Sequence, residues 1–339
     1  MEPAGPQRPT IRDVAQHAGV SKSLVSLVLS QPQRVGEERR ARVEASIAAL
    51  GYRANLAARS LVARNRNTVG MVLGELHNPW VVDLAEIARG ELQAAGFGVL
   101  FSAMGQHGGQ GVDATALQTL RDLRVSGALV IGTADDNVSF ASALDGIPAV
   151  FVGSGVPPAP GLDVVGGDDA AGIDLLVTHL LESGHRRIAH LTGGPGVVSA
   201  LREAAYHRSM KRHGLAAWVV DAGPSFEEGR QAVVTQLLSR PAETRPDALC
   251  CFNDLSALGA MQALDAAGAS MAVSGYDNIP VAAMGRISLT SVDSDNLAMG
   301  RQAARLLLRA LAPGGSSASG RRVLVRPRLV VRSSTASQR

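Results

Sequence analysis

The feature that most constrains the fold is an alternation, from Thr68 onward, of short apolar runs with longer amphipathic stretches. The runs have the length of strands, and the stretches between them have helical spacing. The runs are TVGMVLGEL (68–76), FGVLFSAM (97–104), SGALVIGT (126–133), PAVFVG (148–153), RRIAHLTG (186–193), DALCCFND (247–254) and SGYD (274–277). This βαβ alternation predicts parallel sheets covered by helices, and residues 68–339 suit two such lobes.

Polar and aromatic side chains accompany several of these runs. Open parallel sheets bind ligands beyond the carboxyl ends of their strands, so residues there are the first candidates for a binding site. Trp80 follows the first run and offers a ring that stacks on the apolar face of a sugar, and Phe101 adds a second aromatic face. Asn253, Asp254 and Asp277 lie at the ends of later runs. Their side chains offer hydrogen-bond donors and acceptors that match paired hydroxyl groups of a ligand. Each polar residue alone also suits a helix cap, above all Asp254 before LSALGAMQAL.

A different pattern near the N-terminus predicts three short helices. Thr10 is a candidate N-cap with Asp13 three residues on, which is the spacing of a capping box. Gly19 ends this first helix, Ser21 caps a second, and EERRARVEASIAAL (37–50) forms a third. Three helices in about fifty residues just close a small core. The first two have the helix–turn–helix arrangement.

The second helix of a helix–turn–helix lies in the major groove of DNA. It is short and lightly charged because it must fit base edges rather than phosphates. The candidate DNA contacts of this head are Thr10, Ser21, Lys22, Ser23, Ser26 and Leu27. Many three-helix bundles bind protein instead, so the pattern by itself leaves that alternative open.

The charge is unevenly distributed along the chain. Residues 1–66 hold 11 Lys and Arg but only 5 Asp and Glu, a net charge of +6, whereas the rest of the chain has a net charge of −3. A basic head on a mildly acidic body indicates that the head meets a polyanion. A solvated basic face is the alternative that charge alone does not exclude.

The segment GYRANLAARSLVARNRNT (51–68) joins the two parts. Asn55 is a candidate cap of a short helix with too little apolar surface to fold alone, so it should order only against a partner. In a DNA minor groove, Arg59 would contact phosphates and Leu61 would act as a wedge between base pairs. A plain interdomain linker is the competing interpretation.

Taken together, IRDVAQHAGVSKSLVSLVL (11–29), RARVEASIAALGY (40–52) and NLAARSL (55–61) resemble the LacI/GalR family of bacterial repressors, and the similarity continues to the C-terminus. The resemblance implies an all-α helix–turn–helix head, a hinge helix, and an α/β two-lobed core like the periplasmic sugar-binding proteins, with parallel sheets. It further implies a homodimer or tetramer on a pseudo-palindromic double-stranded operator, with a small effector, often a sugar. SALREAAY (199–206) resembles the family's effector segment, which places Arg202 in the cleft.

The implied domain bounds are as follows. The head covers residues 8–54, the hinge and linker residues 55–67, and the core residues 68–339. Within the core, lobe 1 is expected at about 68–165 and 295–322, and lobe 2 at about 166–292 and 323–335.

Two departures from the family affect what the head can read. Leu24 and Leu27 lie in the recognition helix where Thr and Arg are usual. Leu27 cannot make the bidentate contact to guanine that Arg makes, which leaves contact with a thymine methyl or indirect readout. The usual operator consensus is therefore not assumed. Gly36 replaces the usual Ser or Thr cap, at a cost of a few tenths of a kcal/mol.

Other chemistries have no motif in the chain. No GxGxxG follows a strand, and neither a P-loop nor a GxSxG nucleophile elbow occurs. His179, His185 and His190 have loose spacing and are interpreted as structural, Asp168 as a helix N-cap, and Cys250–Cys251 as part of a buried strand. We therefore expect no enzyme activity, no cofactor and no metal. The start MEPAGPQRPT lacks an apolar segment and no membrane-spanning run occurs, which predicts a cytoplasmic protein without a membrane partner.

The expected function is that of a sequence-specific transcriptional repressor whose operator affinity is controlled by a small effector, with a sugar as the expected class. Two alternatives remain at this stage. A sugar-binding protein or an enzyme on the same two-lobed fold would explain the body without a DNA role. A regulator with a protein corepressor would keep the head but replace the small effector.

Overall fold

The computed structural model describes residues 9–30, 32–52, 67–74, 76–103, 114–132, 144, 146–153, 162–315 and 320–336. Internal contacts divide the chain into two units, Met1–Arg66 and Asn67–Arg339. In the described part of the chain, no helix is long and apolar enough to cross a membrane.

In the described residues of the first unit, the α-helices are α1 (Ile11–Ala18), α2 (Lys22–Ser30) and α3 (Glu37–Leu50). The predicted capping box opens α1: the Asp13 amide donates to Thr10 Oγ1 at 3.4 Å, and the Thr10 amide donates to Asp13 Oδ2 at 2.7 Å. Gly19 ends the helix in the left-handed region at φ 61°, a conformation that costs glycine little because it has no Cβ.

The start of α2 and the core of the head also follow the sequence pattern. Ser21 caps α2, because its Oγ accepts a hydrogen bond from the Leu24 amide at 3.2 Å. Gly36 precedes α3 and provides no side-chain cap. The head closes around a small set of buried side chains from the three helices and the turn before α3, Val14, Ala15, Ala18, Val25, Val28, Val35 and Val43.

The second unit alternates strands with helices. Its strands are β1 (Thr68–Leu73), β2 (Gly98–Ala103), β3 (Gly127–Ile131), β4 (Ala149–Val152), β5 (Leu162–Gly167), β6 (Ile188–Leu191), β7 (Trp218–Val220), β8 (Ala248–Cys251), β9 (Ala272–Tyr276), β10 (Thr290–Asp293), β11 (Arg322–Val325) and β12 (Arg328–Val330). Its helices are α4 (Pro79–Ala94), α5 (Ala114–Asp122), α6 (Asp169–Glu182), α7 (Val197–Arg212), α8 (Phe226–Ala232), α9 (Asp254–Ala266) and α10 (Asn296–Leu311). A π-helical turn, Val233–Leu238, continues α8.

The strands form two six-stranded sheets, one in each lobe. The order is β11-β5-β4-β3-β1-β2 in the first sheet and β12-β10-β9-β8-β6-β7 in the second. Among the described strands, every pair is parallel except β10 with β12, which is antiparallel. The expectation of parallel sheets in both lobes is confirmed, and this pair is the exception among the described strands. The chain passes from β11 into β12 through two residues, with no helix to reverse its direction before it joins the second sheet.

The chain crosses between the lobes three times. It leaves the first sheet after Gly167, returns after Asp293, and leaves again after Val325. The predicted boundary at 322/323 is wrong, because residues 322–325 form β11 and pair with β5 of the first sheet. The boundary at 165/166 is two residues early, since β5 continues to Gly167.

Helices cover both faces of each sheet and bury the cores. Adjacent cysteines on β8 show the two faces directly: Cys250 packs with Tyr206 and Ile173, and Cys251 packs on the other side with Leu237 and Ala257. Both thiols are fully buried, and burial raises the pKa of Cys250 to about 12. The interpretation of this pair as part of a buried strand is confirmed.

Candidate functional site

A cavity of about 60 Å³ lies where the carboxyl ends of strands from both sheets meet. This volume holds only a few water molecules, because one water needs roughly 10–15 Å³ on the same measure. The cleft is therefore largely filled by its own side chains. Its lining residues are Asn78, Trp80, Val81, Gly132, Gly153, Gly167, Asp169, Val198, Arg202, Phe252, Tyr276, Asp277, Ser294 and Met299.

Trp80 forms part of the wall from lobe 1. Asn78 caps α4 by accepting a hydrogen bond from the Trp80 amide at 3.0 Å, and Pro79 occupies the first helical position. The indole Nε1 donates to Ser294 Oγ at 2.9 Å, on the chain segment that crosses between lobes. The structure thus places Trp80 in the cleft, as its position after a strand predicts.

Arg202 reaches the cavity from α7 and is only 8% exposed. Its Nε donates to Asp169 Oδ1 at 2.9 Å, and its Nη1 donates to the Phe252 carbonyl at 2.6 Å. The guanidinium carbon lies 3.6 Å from the ring centre of Tyr276. Burial acts against the charge, but the carboxylates of Asp169 and Asp277 and the Tyr276 hydroxyl outweigh it and raise the pKa of Arg202. The cation is therefore permanent and its donors are largely engaged.

Asp277 lines the same cavity from the loop after β9. Its Oδ1 is 3.8 Å from Arg202 Nη2, and its backbone has a φ of 101°, which is rare for a residue with a Cβ. Asn278 follows at φ 49° and fixes this loop: its amide donates to Ser291 Oγ at 3.0 Å, and its Nδ2 donates to Asp293 Oδ2 at 3.2 Å. The loop is thus held to β10, the strand that leads to the second lobe crossing.

Asn253 and Asp254, both predicted to contact an effector, do not line the cavity. Asn253 is the N-cap of α9, accepting from the Ser256 amide at 2.8 Å, and its Nδ2 donates to the Pro224 carbonyl. The cap of this helix is therefore Asn253, not Asp254. Asp254 accepts from the Ile279 amide at 2.8 Å and from Ser291 Oγ at 2.5 Å. Burial, reinforced by the nearby Asp277 carboxylate, raises the pKa of Asp254 well above its usual range.

Phe101 also lies away from the cavity. It sits in the middle of β2, opposite Met71 and not after the carboxyl end of its strand, and β2 is an edge of the first sheet. Its side chain is 49% exposed. The second aromatic surface of the cleft instead comes from Phe252 and Tyr276, which sequence reasoning missed.

Asp169 is the other missed residue. Asp168 caps α6 by accepting from the Ala171 amide at 3.0 Å, as the sequence predicts, and Asp169 next to it turns into the cleft and pairs with Arg202. The signal in the sequence is the position of the DD pair directly after a strand. Two adjacent carboxylates at a helix start cannot both be its N-cap.

The candidate histidines lie in structural settings. His190 is fully buried, its Nδ1 lies 2.8 Å from the Cys250 carbonyl oxygen, and burial lowers its pKa to about 4. His179 Nε2 lies 2.8 Å from Thr335 Oγ1. In the described part of the chain, no group of three or more His, Cys, Asp or Glu residues is arranged to hold a metal ion.

The candidate DNA-binding residues fall into three groups. Thr10, Ser21, Lys22 and Ser23 are exposed. Ser26 and Leu27 are half-buried, and Leu27 packs against the edge of the head's core. The predicted hinge contacts Asn55, Arg59 and Leu61 lie outside the described residues.

Exposed basic side chains accompany this helix. Arg12, Lys22, Arg39 and Arg42 are exposed on the head, whereas Arg40 lies 3.9 Å from the carboxylates of Glu37 and Glu44 on the same helix. Arginine and lysine side chains of this kind neutralise phosphates and give DNA binding its salt dependence. The arrangement therefore suits a polyanion, as the charge distribution indicates.

Comparison with known protein families gives two matches. Residues 10–55 match the description "Bacterial regulatory proteins, lacI family", and residues 177–335 match "Periplasmic binding protein-like domain". The ribose operon repressor of Escherichia coli (strain K12) is 32% identical over 309 residues, which cover 88% of this chain and 92% of that protein. The HTH-type transcriptional repressor PurR of Haemophilus influenzae (strain PittEE) is 29% identical over 339 residues, covering 97% and 99%.

Solved structures resemble the chain over nearly its full length. The lac repressor dimer bound to operator and the anti-inducer ONPF superposes with a TM-score of 0.82 at 28% identity, covering 98% of this chain and all of that one. The complex of the transcriptional regulator CelR with cellobiose has a TM-score of 0.68 at 28% identity, covering 96% and 100%.

Proposed function

The chain belongs to the LacI family of bacterial regulatory proteins, and on that premise we propose that it is a repressor whose operator affinity is set by a small molecule held between its lobes. Family membership makes it a DNA-binding transcriptional regulator. The observation that carries the rest of the proposal is the cavity in which Trp80, Arg202 and Asp277 converge from both lobes.

On the DNA side, two copies of the chain each place a head on one half-site of a pseudo-palindromic operator. The relative whose structure was solved with operator is a dimer, which supports this assembly. The exposed Lys22 and Ser23 of α2 contact base edges, and exposed arginines contact phosphates. The hinge residues act in the minor groove, with Arg59 at phosphates and Leu61 as the wedge.

On the effector side, the cleft takes a small, hydroxyl-rich molecule such as a sugar. The Trp80 ring offers an apolar face for stacking, and the carboxylates of Asp169 and Asp277 accept hydrogen bonds from hydroxyl groups. Relatives named for ribose and solved with cellobiose support this class of ligand. Because the cavity holds only about 60 Å³, effector binding requires the lobes or their side chains to move apart before closing again.

The coupling between the sites runs through the crossings between lobes. Asp277 touches the cavity, and the neighbouring Asn278 is bonded to Asp293, the last residue before the second crossing. Arg328, the first residue of β12, donates to the same Asp293 carboxylate at 2.8 Å. A ligand that binds one lobe arrangement better shifts the spacing of the N-terminal lobes and hence operator affinity. A coupling of about 1–3 kcal/mol, which corresponds to about 5–150-fold, suffices.

We further propose that the core binds its ligand without transforming it, and that the protein acts in the cytoplasm, where its DNA partner is. The ion pair of Asp169 with Arg202 supports the first point, because it commits this cleft carboxylate to holding a buried cation.

The test uses the full-length protein and an operator that it selects from random DNA. Trp218→Phe leaves Trp80 as the sole tryptophan and reporter of the cleft. D-ribose and a panel of neutral hexoses are titrated while tryptophan fluorescence and the anisotropy of labelled operator are followed. We expect one sugar to change the fluorescence and to shift operator affinity by about 5–150-fold. The matched control, Trp80→Phe with Trp218 retained, should lose the fluorescence change.

Each alternative predicts a different result. A sugar-binding protein without a DNA role would respond to a sugar but enrich no DNA sequence. A regulator with a protein corepressor would select an operator, yet no sugar in the panel would alter either signal. Either outcome refutes the proposal.

A further inference from the structure

Helix α2 has two distinct faces. Val25 and Val28 are buried in the core of the head, and at about 3.6 residues per turn the opposite face carries Ser23, Ser26 and Leu27. Leu27 lies about 130° around the helix from the middle of the buried face. It is therefore part of the surface that a recognition helix turns to DNA.

Leu27 is held in place on that face. It is half-buried because one side of it packs against the edge of the head's core, next to Leu24 one turn earlier. The remainder of its apolar surface lies beside Ser23, which is about 40° away around the helix and exposed. A single exposed leucine is ordinary on a protein surface. Here, however, it lies on the face that meets base edges, next to Ser23 near the middle of that face, where its chemistry selects among bases.

The major groove offers one apolar feature at base edges, the C5 methyl group of thymine. A guanine placed against Leu27 would lose water from its O6 and N7 acceptors without gaining a donor, which is unfavourable. We propose that Leu27 recognises a thymine through this methyl group, so that each half-site carries a thymine where Leu27 contacts it. This inference rests on the proposed operator binding and specifies what the head reads.

The size of the effect follows from the area of one methyl group. Burying one methyl or methylene group increases binding affinity about fourfold. A symmetric operator presents the contact twice, so removing both methyl groups should weaken binding about fifteenfold.

The test replaces thymine by deoxyuridine, which differs only in lacking the methyl group. The full-length protein first selects an operator from random DNA, and each thymine is then changed to deoxyuridine in both half-sites together. We expect one thymine position per half-site whose replacement weakens wild-type binding about fifteenfold. In Leu27→Ala the same replacement should change affinity less than about twofold, whereas Ser23→Ala should keep the full sensitivity. Leu27→Arg should shift the selected base at that position towards guanine, since Arg pairs with its O6 and N7.

The outcomes separate the inference from the function on which it rests. If no DNA sequence is enriched, the proposed operator binding fails. If an operator is selected but wild-type affinity is insensitive to deoxyuridine at every thymine, the role of Leu27 is refuted. The same holds if Leu27→Ala retains the wild-type sensitivity. The deoxyuridine series on the wild-type protein needs no variant, so misfolding of Leu27→Ala would not obscure the result.

Discussion

Replacing Asp169 with asparagine tests the buried ion pair at the centre of the cleft. Asp169 and Arg202 are each 8% exposed, and their Nε–Oδ1 distance is 2.9 Å. The asparagine side chain would retain the shape of the aspartate but leave the buried guanidinium without its closest counter-charge. The remaining compensation is the Phe252 carbonyl and the Asp277 carboxylate, which is 3.8 Å away.

The expected loss follows from these partners. Removing one member of a buried pair costs about 3–5 kcal/mol, chiefly because the other charge stays buried and uncompensated. Since Asp277 and Phe252 remain, we take the lower end and expect Asp169→Asn to lower the free energy of unfolding of the core by about 3 kcal/mol. Arg202→Met leaves the carboxylate beside Asp277 and should cost a similar amount.

The double variant is the sharpest part of this prediction. Asp169→Asn combined with Arg202→Met removes both members of the ion pair, so that neither charge is left buried without its partner. It should therefore be more stable than either single variant, with a coupling energy of at least about 2 kcal/mol in a double-mutant cycle. Urea unfolding followed by circular dichroism measures all four proteins. A loss below about 1 kcal/mol for Asp169→Asn, with additive effects in the cycle, would refute the reasoning.

Three further predictions concern the hinge, a buried histidine and a close backbone approach. Leu61→Ala should weaken operator binding and leave sugar affinity unchanged, and equal operator affinity in a gel-shift titration would exclude the wedge. His190, whose pKa is about 4 when folded against about 6.5 unfolded, binds its proton mainly in the unfolded state, so stability should fall as pH drops from 6.5 to 4. His190 should account for a loss of about 3 kcal/mol in the free energy of unfolding over this pH range, and the loss should be absent in His190→Gln. If urea unfolding gives the wild type and His190→Gln the same dependence on pH, the prediction is contradicted. Gly275→Ala would place a Cβ 2.2 Å from Asp254 Oδ1 and should destabilise the core by at least about 2 kcal/mol. Gly90→Ala is the control: its Cβ would point into open space in α4, so it should stabilise the core by up to about 1 kcal/mol. Thermal unfolding that ranks the two variants in the opposite order would refute this prediction.

Local chemistry explains why part of the architecture is predictable from sequence. Thr10, Ser21 and Asp168 all act as the caps that their positions predict, because a cap depends on residues within one turn. The alternation of apolar runs and amphipathic stretches likewise predicts the helix-covered sheets. The reversed direction of β12 depends instead on which sheet the last strand joins, a long-range choice that leaves no local pattern.

The cleft shows where sequence reasoning reaches its limit. A residue that follows a strand lies near the edge of the sheet, and this position alone correctly predicts that Trp80 and Asp277 line the cleft. It does not determine whether a side chain turns towards the cleft or back towards its own helix. Asn253 turns back to cap α9, while Asp169, one residue beyond a cap, turns inward because Arg202 from α7 compensates its charge.

The central claim is that a molecule bound in the cleft controls how tightly the heads hold DNA. The most direct measurement is the operator affinity of the wild-type protein and of Arg202→Ala, each with and without a saturating amount of the sugar that changes Trp80 fluorescence. We predict a change of about 5–150-fold in the wild type, and no change in Arg202→Ala, which should still bind operator. Equal operator affinity with and without that sugar in the wild type, or a full response in Arg202→Ala, would contradict the claim.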